Sequence, residues 1–350
     1  MRIAGISCAV PTNVITSEAF VPRFGREAVN KVIANIGVAE RRHVDKGGCA
    51  SDLAAAAAER LFDDLHTDRS TIDAIIFATQ TPDYLVPATS RILQDRLKLP
   101  RHLMALDINL GCSGFTDGLI LGHSLLKGLA LRNVLLLVGD TASKMISHED
   151  QSTALLFGDA VSATLLEASD APFFYVMGGD GSGASTLIQK FGYRQGLGTR
   201  PLDTTQTDIA QAAPPYSDQK HSDFTIQMDS LRVFGFTIEC VPKMVKEIFE
   251  QTGWTQATTD FFIFHQANTF MLKKLAQLSK IPMEKLPIGM EKFGNTAGAS
   301  IPLTLVTQLF DRLQESTRLA LFGFGIGLAW SAVALEWKDG ILCPLVEIDC

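Results

Sequence analysis

The sequence lacks the features by which several classes of protein are recognised. Its 31 lysines and arginines are outnumbered by 38 aspartates and glutamates, a net charge of -7, so we expect no basic face that binds nucleic acid. No apolar run reaches the roughly 18 residues that span a membrane. The six cysteines include no CxxC pair, the seven histidines show no metal-ligand spacing, and no signal peptide precedes the strand-like start. We therefore expect no metal, no membrane, and reduced thiols in a cytoplasmic location.

What the sequence does contain is the pattern of a large α/β protein. Hydrophobic residues make up 46% of its 350 positions, and apolar runs alternate with segments of helical periodicity. Runs at 72–78 and 134–138 are continuously apolar, as are strands buried in parallel sheets. One long alanine-rich helix is predicted to be capped by Ser51 and to end at Leu65. The length exceeds what one simple core needs, so two domains or two halves are expected.

The second half of the chain repeats the strand order of the first. Three pairs of segments match in the same order: 73–77 with 260–264, 134–138 with 318–322, and 161–167 with 330–336. This agreement predicts a duplicated domain, with halves at 1–171 and 172–350. A polar stretch rich in glycine and proline, at 192–223, belongs to neither copy. It is predicted to be a long surface loop, either a lid or a passive insertion.

A cysteine lies at a sharp corner between a predicted strand and a predicted helix. Residues 103–108 are apolar, residues 115–126 repeat apolar side chains at helical spacing, and Gly111 and Gly114 flank Cys112 in the turn. A helix start offers free amide groups and a positive dipole end, which stabilise a thiolate. Cys112 is therefore expected to be an acidic, exposed nucleophile. The alternative is a small buried apolar cysteine.

Two further stretches supply the partners that a thiolate and a developing oxyanion need. His265 directly follows an apolar run, at the sheet edge where α/β proteins bind ligands. Asn295 lies in a glycine-bearing loop before a helix that Ser300 and Pro302 can open. Each of the two could be structural when taken singly. If the halves are duplicates, however, Cys112 of one half faces His265 and Asn295 of the other, and a Cys-His-Asn site results.

Five motifs spread over almost the whole chain carry a family resemblance. They are Cys112-Ser-Gly-Phe, Phe157-Gly-Asp-Ala, His265-Gln-Ala-Asn, Gly294-Asn-Thr-Ala-Gly-Ala-Ser-Ile-Pro302 and Gly323-Phe-Gly-Ile-Gly-Leu-Ala-Trp330. Together they resemble the β-ketoacyl-acyl carrier protein synthase III family of the thiolase superfamily. The resemblance implies an α/β fold of the thiolase-like, five-layered αβαβα type and a homodimer without a cofactor. It also implies an acyltransferase activity (EC 2.3.1), in which an acyl thioester of coenzyme A or acyl carrier protein loads the cysteine and a malonyl thioester then extends it by decarboxylative Claisen condensation.

The same resemblance assigns roles to single residues. Cys112, His265 and Asn295 are implied to be the catalytic residues, and the backbone amides of Cys112 and Ile326 the oxyanion hole of the acyl step. The residues implied to contact the substrate are Val86, Phe157, Phe234 and Gly325, with Val86 and Phe234 meeting across the dimer. Elongating thiolases carry a second cysteine in a Cys-x-Gly setting; Cys343 is followed by proline and leucine, which disfavours that branch.

Three positions depart from the family pattern where the acyl donor binds. Lys31 stands in place of the tryptophan that stacks on the adenine of coenzyme A, and Gln151 in place of its arginine partner. Phe270 replaces a basic residue that docks the carrier protein, although lysines at 273, 274 and 280 lie nearby. The donor therefore stays open between coenzyme A and carrier protein. Two other functions also stay open: acyl transfer to an amine or hydroxyl, and a non-catalytic role in a heteromeric synthase.

Overall fold

A computed structural model describes residues 1–190 and 224–350, so the predicted loop at 192–223 lies outside the described residues. The strands are β1 Arg2–Pro11, β2 Val14–Thr16, β3 Glu40–Arg42, β4 Ile72–Ala78, β5 Met104–Ile108, β6 Asn133–Asp140, β7 Ala160–Glu167, β8 Phe173–Gly179, β9 Leu187–Ile188, β10 Gln227–Met228, β11 Phe261–Phe264, β12 Arg318–Gly325, β13 Ala329–Glu336, β14 Ile341–Leu342 and β15 Val346–Ile348. The helices are α1 Val21–Phe24, α2 Arg26–Ile36, α3 Ala50–Leu65, α4 Thr89–Arg96, α5 Gly114–Gly128, α6 Gln151–Ala154, α7 Ser230–Thr252, α8 Thr269–Leu278 and α9 Ser300–Gln308. Within those ranges, no helix is both long and apolar enough to cross a membrane.

Two sheets form the frame of the molecule. The first sheet has the order β14-β1-β7-β6-β4-β5, with β15 also paired to β1, and the second has the order β11-β12-β13-β8. In the first sheet β1-β7 and β7-β6 pair antiparallel and β6-β4 parallel. The second sheet repeats this sequence of pairings as β8-β13, β13-β12 and β12-β11. The strands that correspond contain the segments repeated in the sequence, which supports the predicted duplication; the two halves remain a proposal.

Helices fill the space outside and between the two sheets. Helix α3 packs on the outer face of the first sheet, α5 and α9 lie between the sheets, and α7 and α8 cover the outer face of the second sheet. The central core joins Phe115 and Leu119 of α5 to Leu305 of α9, Leu136 of the first sheet and Leu321 of the second. This arrangement is the five-layered αβαβα fold predicted above.

The start of α3 differs from the prediction. Cys49, not Ser51, is the N-cap residue, and its backbone N–H donates to Oδ2 of Asp52 at 2.8 Å. The Ser51 hydroxyl instead donates to Oδ2 of Asp83 at 2.7 Å. Serine is the stronger N-cap by local preference. Local preference predicts that the Ser51 hydroxyl caps the helix, but a hydrogen bond to Asp83, 32 positions away, engages it instead.

Candidate active site

Cys112 lies where the two sheets meet. Strand β5 ends four residues before it, α5 begins two residues after it, and the turn is closed by the Gly114 N–H, which donates to the Gly111 carbonyl at 2.7 Å. The end of β12 packs directly on this corner, and a Cβ atom on Gly325 would lie 2.8 Å from Sγ of Cys112. Since real Cβ atoms do not approach so closely, a glycine is required here. The predicted strand-turn-helix corner is confirmed.

The predicted exposure and acidity of Cys112 are wrong. The residue is only 8% exposed, and burial raises the pKa of its thiol to about 11. The negative charge of Asp140 raises it further, while hydrogen bonds from the backbone N–H groups of Ile326 and Cys112 itself lower it in part. Loss of solvation opposes the charged form and here outweighs the stabilisation that a helix start gives. At neutral pH Cys112 is therefore a thiol before substrate binds.

His265 follows the last residue of β11 and continues its pairing, because its backbone N–H donates to the Phe322 carbonyl at 2.8 Å. The ring meets Phe324 edge to face, with centroids 5.6 Å apart, and its Nδ1 lies 2.8 Å from Oγ of Ser300. Burial lowers the pKa of His265 to about 4, partly opposed by the nearby backbone of Ala297. The imidazole is therefore neutral at physiological pH.

Asn295 is held by backbone and side-chain hydrogen bonds at once. Its N–H donates to the Leu156 carbonyl at 2.8 Å, and its carbonyl accepts from the Gly158 N–H at 3.1 Å. Its side-chain Oδ1 accepts from the Ala297 N–H at 2.9 Å. Because Oδ1 is engaged in this way, the Nδ2 amide is the group left to donate to a ligand.

The three predicted catalytic residues line one cavity with about 560 Å³ of empty space, part of it open to solvent. Its walls are mainly apolar, with a few polar groups. Besides the three predicted catalytic residues, the lining consists of Leu156, Phe157, Leu187, Met228, Ser230, Val233, Thr237, Ala267, Asn268, Met271, Phe324 and Gly325. Ligand sites combine apolar walls with few polar groups in this way. A neutral histidine and an asparagine amide beside a cysteine can stabilise negative charge on a carbonyl oxygen.

The structure brings only some of the other predicted residues to this cavity. Phe157 and Gly325 line it, whereas Val86 and Phe234 do not. Val86 is 81% exposed, and Phe234 stacks on Phe270, with ring centroids 5.8 Å apart. The meeting of Val86 and Phe234 across a dimer stays a prediction. Lys31, which is exposed, also lies outside the lining.

Sequence reasoning missed two residues that support the site. It assigned Ser300 only to the start of a helix, although its hydroxyl contacts His265. It did not single out Arg41, which is fully buried and has no carboxylate partner within the described ranges. The Arg41 guanidinium donates to the carbonyl of Leu155 and the hydroxyl of Ser17, both at 2.8 Å, and so braces the turn that pairs with Asn295. The only sequence feature that could have indicated a role for Ser300 in the site is that it lies in the same loop motif as Asn295.

The fold and this cavity define a thiolase-like condensing enzyme, and the comparisons with known proteins make the class more specific. The family description 3-oxoacyl-[acyl-carrier-protein (ACP)] synthase III matches residues 106–181, and its C-terminal counterpart matches residues 249–337. A putative 3-oxoacyl-[acyl-carrier-protein] synthase 3 of Campylobacter jejuni is 32% identical over 97% of this chain and 94% of its own. A β-ketoacyl-[acyl-carrier-protein] synthase III of Streptococcus suis is 31% identical over 96% and 98%.

Solved structures agree with the sequence matches. A 3-oxoacyl-(acyl-carrier protein) synthase from Burkholderia xenovorans LB400 is 42% identical, covers 99% of this chain and 97% of its own, and superposes with a TM-score of 0.89. A synthase III from Pseudomonas aeruginosa PAO1 is 26% identical over 96% and 98%, with a TM-score of 0.82. The chain belongs to the 3-oxoacyl-[acyl-carrier-protein] synthase III family, which confirms the resemblance noted in the sequence.

Proposed function

We propose that this protein is an acyltransferase that loads an acyl group onto Cys112 and extends it by decarboxylative condensation with a malonyl thioester. The observation that carries the proposal is the convergence of Cys112, His265 and Asn295, from three separate stretches of chain, on one cavity. A second observation supports the loading site: the backbone N–H groups of Ile326 and Cys112 lie close enough to the Cys112 sulfur to lower the pKa of its thiol. Two such amides suit an oxyanion hole.

In the loading step the Cys112 sulfur attacks the carbonyl carbon of an acyl thioester. The amides of Cys112 and Ile326 stabilise the tetrahedral oxyanion while the new carbon–sulfur bond forms. The bond to the donor sulfur then breaks, and the proton of the Cys112 thiol passes to the departing thiolate. Because the resting thiol has a raised pKa, proton loss is expected to accompany attack rather than precede it.

In the condensation step a malonyl thioester occupies the emptied channel. Its carbon–carbon bond to the carboxylate breaks, carbon dioxide leaves, and the electron pair forms an enolate whose oxygen accepts hydrogen bonds from His265 and the Asn295 amide. The enolate carbon then attacks the acyl carbonyl on Cys112. The bond to the Cys112 sulfur breaks, and the released thiolate takes up a proton from solvent water. His265 and Asn295 are neutral donors that keep the same protonation state throughout, so they can stabilise the enolate charge when it forms without holding it once the carbon attacks.

The donor and acceptor are proposed to be thioesters of coenzyme A or acyl carrier protein. The cavity is mainly apolar, with Ser230, Thr237 and Asn268 as scattered polar groups, which fits a thioester arm with amide groups. The names of the relatives refer to acyl carrier protein, which supports it as a partner. Lysines on and after α8, at 273, 274 and 280, offer positive charge for an acidic carrier.

The proposal includes a homodimer formed beside β5. This strand ends the first sheet, so one of its edges has no partner strand within the described residues. The loop before α4 exposes Tyr84, Leu85 and Val86, by 63%, 63% and 81%. It is tied to β5 because the Thr89 N–H donates to Asp107 of that strand. An apolar loop beside an open sheet edge is typical of an interface.

The activity is tested with an isotope-labelled malonyl thioester and an acyl donor, scoring the extended product and the acyl form of Cys112 separately. Asn295→Ala should lower condensation by about 100-fold or more, the scale of one lost oxyanion donor, and leave loading largely intact. If Asn295→Ala leaves product formation unchanged but an added amine or alcohol accepts the acyl group, the enzyme is an acyl transferase to that acceptor. If no acyl donor and no thiol reagent modifies Cys112, the result favours a non-catalytic role for this protein in a heteromeric synthase.

A further inference from the structure

The hydroxyl of Ser300 lies against the imidazole of His265 in a fully enclosed setting. Oγ and Nδ1 are 2.8 Å apart, and both residues are 2% exposed. Helix α9 begins at Ser300, so the position of this hydroxyl is fixed by the start of the helix. The Ser300 N–H donates to the Ala297 carbonyl, and the Ser300 carbonyl accepts from the Thr304 hydroxyl at 2.8 Å.

The hydrogen bonds around Ser300 fix the direction in which its proton points. Oγ accepts from the backbone N–H of Gln266 at 3.3 Å, which engages one lone pair. Of the groups in the described ranges, Nδ1 of His265 is the remaining hydrogen-bond partner of this hydroxyl. A buried hydroxyl that accepts without donating leaves its proton unsatisfied, which is costly. The complete arrangement has the Ser300 O–H donating to Nδ1, which must then be an acceptor.

We propose that Ser300 is a positioning residue that holds His265 in the tautomer protonated at Nε2. The inference rests on the proposed function. The backbone of Ala297 also lies near the imidazole, but Ser300 Oγ is the group within hydrogen-bond geometry of the ring in the described ranges. Since Ser300 engages Nδ1, Nε2 is the ring nitrogen left for a ligand in the cavity. With the proton on Nε2, the ring donates to the thioester oxygen; with the proton on Nδ1, it would present a lone pair and repel that oxygen.

Two properties of the site make this control matter. Burial holds His265 neutral at physiological pH, so only one of its ring nitrogens carries a proton. The imidazole can therefore exist as either of two tautomers, and only one of them donates from Nε2. The same short segment also orients the second donor, because the Ala297 N–H holds Oδ1 of Asn295. Residues 295–300 thus orient both groups proposed to donate to the enolate oxygen, the His265 ring and the Asn295 amide. In other enzymes a histidine in the wrong tautomer costs up to about 10⁴ in rate.

The test compares Ser300→Ala with Ser300→Thr, which keeps the hydroxyl, and with Thr307→Val as a control. Thr307 lies half-buried on the same helix, and its hydroxyl donates to the Leu303 carbonyl at 2.7 Å rather than to Ser300 or His265. Ser300→Ala should lower condensation by about 10-fold, the scale of one hydrogen bond, and change acyl loading on Cys112 by less than about 2-fold. Ser300→Thr should restore condensation, and Thr307→Val should leave both steps within about 2-fold of wild type.

The tautomer itself is read from the ¹⁵N spectrum of protein labelled at histidine, with His265→Gln to assign the signals. The wild type should show Nε2 protonated and Nδ1 unprotonated, and Ser300→Ala should show a mixture. Protonated Nδ1 in the wild type would overturn the inference without reference to any variant, as would a Ser300→Ala enzyme that condenses normally. A wild-type enzyme that loads no acyl group would defeat the proposed function instead, while the ¹⁵N spectrum would still decide the tautomer.

Discussion

A Cβ atom placed on Gly325 would lie 2.6 Å from Cβ of Cys112. The last residue of β12 and the corner around Cys112 therefore fit together only if position 325 has no side chain. Gly325→Ala should displace Cys112 or the strand end, move the Ile326 amide, and reduce acyl loading by about 100-fold, the scale of one lost oxyanion donor. Gly128→Ala is the control, because it lies at the end of α5 with open space around its Cβ position. Equal loading by both variants would contradict this account.

The thiol of Cys112 should react in a pH-dependent way that reflects its burial. Because its pKa is raised to about 11, alkylation by iodoacetamide should increase about 10-fold for each pH unit between pH 7 and 9, without a plateau. The rate is followed by mass spectrometry of the Cys112 peptide, and Cys112→Ser gives the background from other groups in the same peptide. A plateau below pH 8 would indicate a preformed thiolate.

Ionised Asp140 should destabilise the fold above about pH 6. Burial raises the pKa of Asp140 from 3.8 to about 6. The contribution of Asp140 to stability is therefore fully present below pH 3.8, where the carboxyl is neutral in both the folded and the unfolded state, and it is lost as pH rises through about 6 and the buried carboxyl ionises. Asp140→Asn keeps the acceptor Oδ1 that Thr79 and Gln80 use, and it removes the charge. At pH 8 the variant should be about 1 kcal/mol more stable than wild type, because removing the charge gains about 3 kcal/mol for a pKa raised from 3.8 to about 6, and the new buried amide without a partner costs about 2 kcal/mol. Near pH 4 the folded wild-type carboxyl is already neutral, so mainly the cost of the amide remains and the variant should be less stable than wild type.

Urea unfolding at the two pH values measures this effect, with Asp159→Asn as the control. Asp159 is equally buried, but both of its oxygens accept hydrogen bonds, from Val44 and Ser143. An amide there would face donors, so that variant should lose stability at both pH values. An Asp140→Asn protein that is less stable than wild type at pH 8 would contradict the prediction.

The exposed loop before α4 should control assembly. Val86→Asp places a charge in the proposed interface and should shift sedimentation from dimer to monomer. Val14→Asp is the control, since Val14 is an exposed valine on β2, 39% exposed against 81% for Val86. A wild-type monomer, or a Val86→Asp dimer that sediments unchanged, would refute the interface.

The parts of this site that local sequence determines could be predicted. The corner around Cys112 follows from an apolar run, a glycine turn and a helical repeat, and His265 follows its strand at the sheet edge. The repetition of three buried strands was also visible in the sequence, as β4, β6 and β7 in the first half and β11, β12 and β13 in the second. Each of these features is recognised within one short segment of the chain.

The features that depend on packing between distant parts of the chain could not be predicted from the sequence. Cys112 was expected to be acidic and exposed, but β12, more than 200 positions later, covers it and raises the pKa of the thiol. Ser51 was expected to cap α3, but it bonds Asp83. No local pattern indicates that Arg41 is fully buried without a carboxylate partner in the described part of the chain. Burial and tertiary hydrogen bonds decide each of these cases.

The central claim, that Cys112 carries the acyl group, is tested most directly by peptide-resolved mass spectrometry after incubation with a panel of acyl-coenzyme A and acyl carrier protein donors. We expect an acyl mass on the Cys112 peptide with at least one donor, no such mass in Cys112→Ser, and loss of the mass when a malonyl thioester is added. Absence of an acyl adduct on Cys112 with every donor would contradict the account.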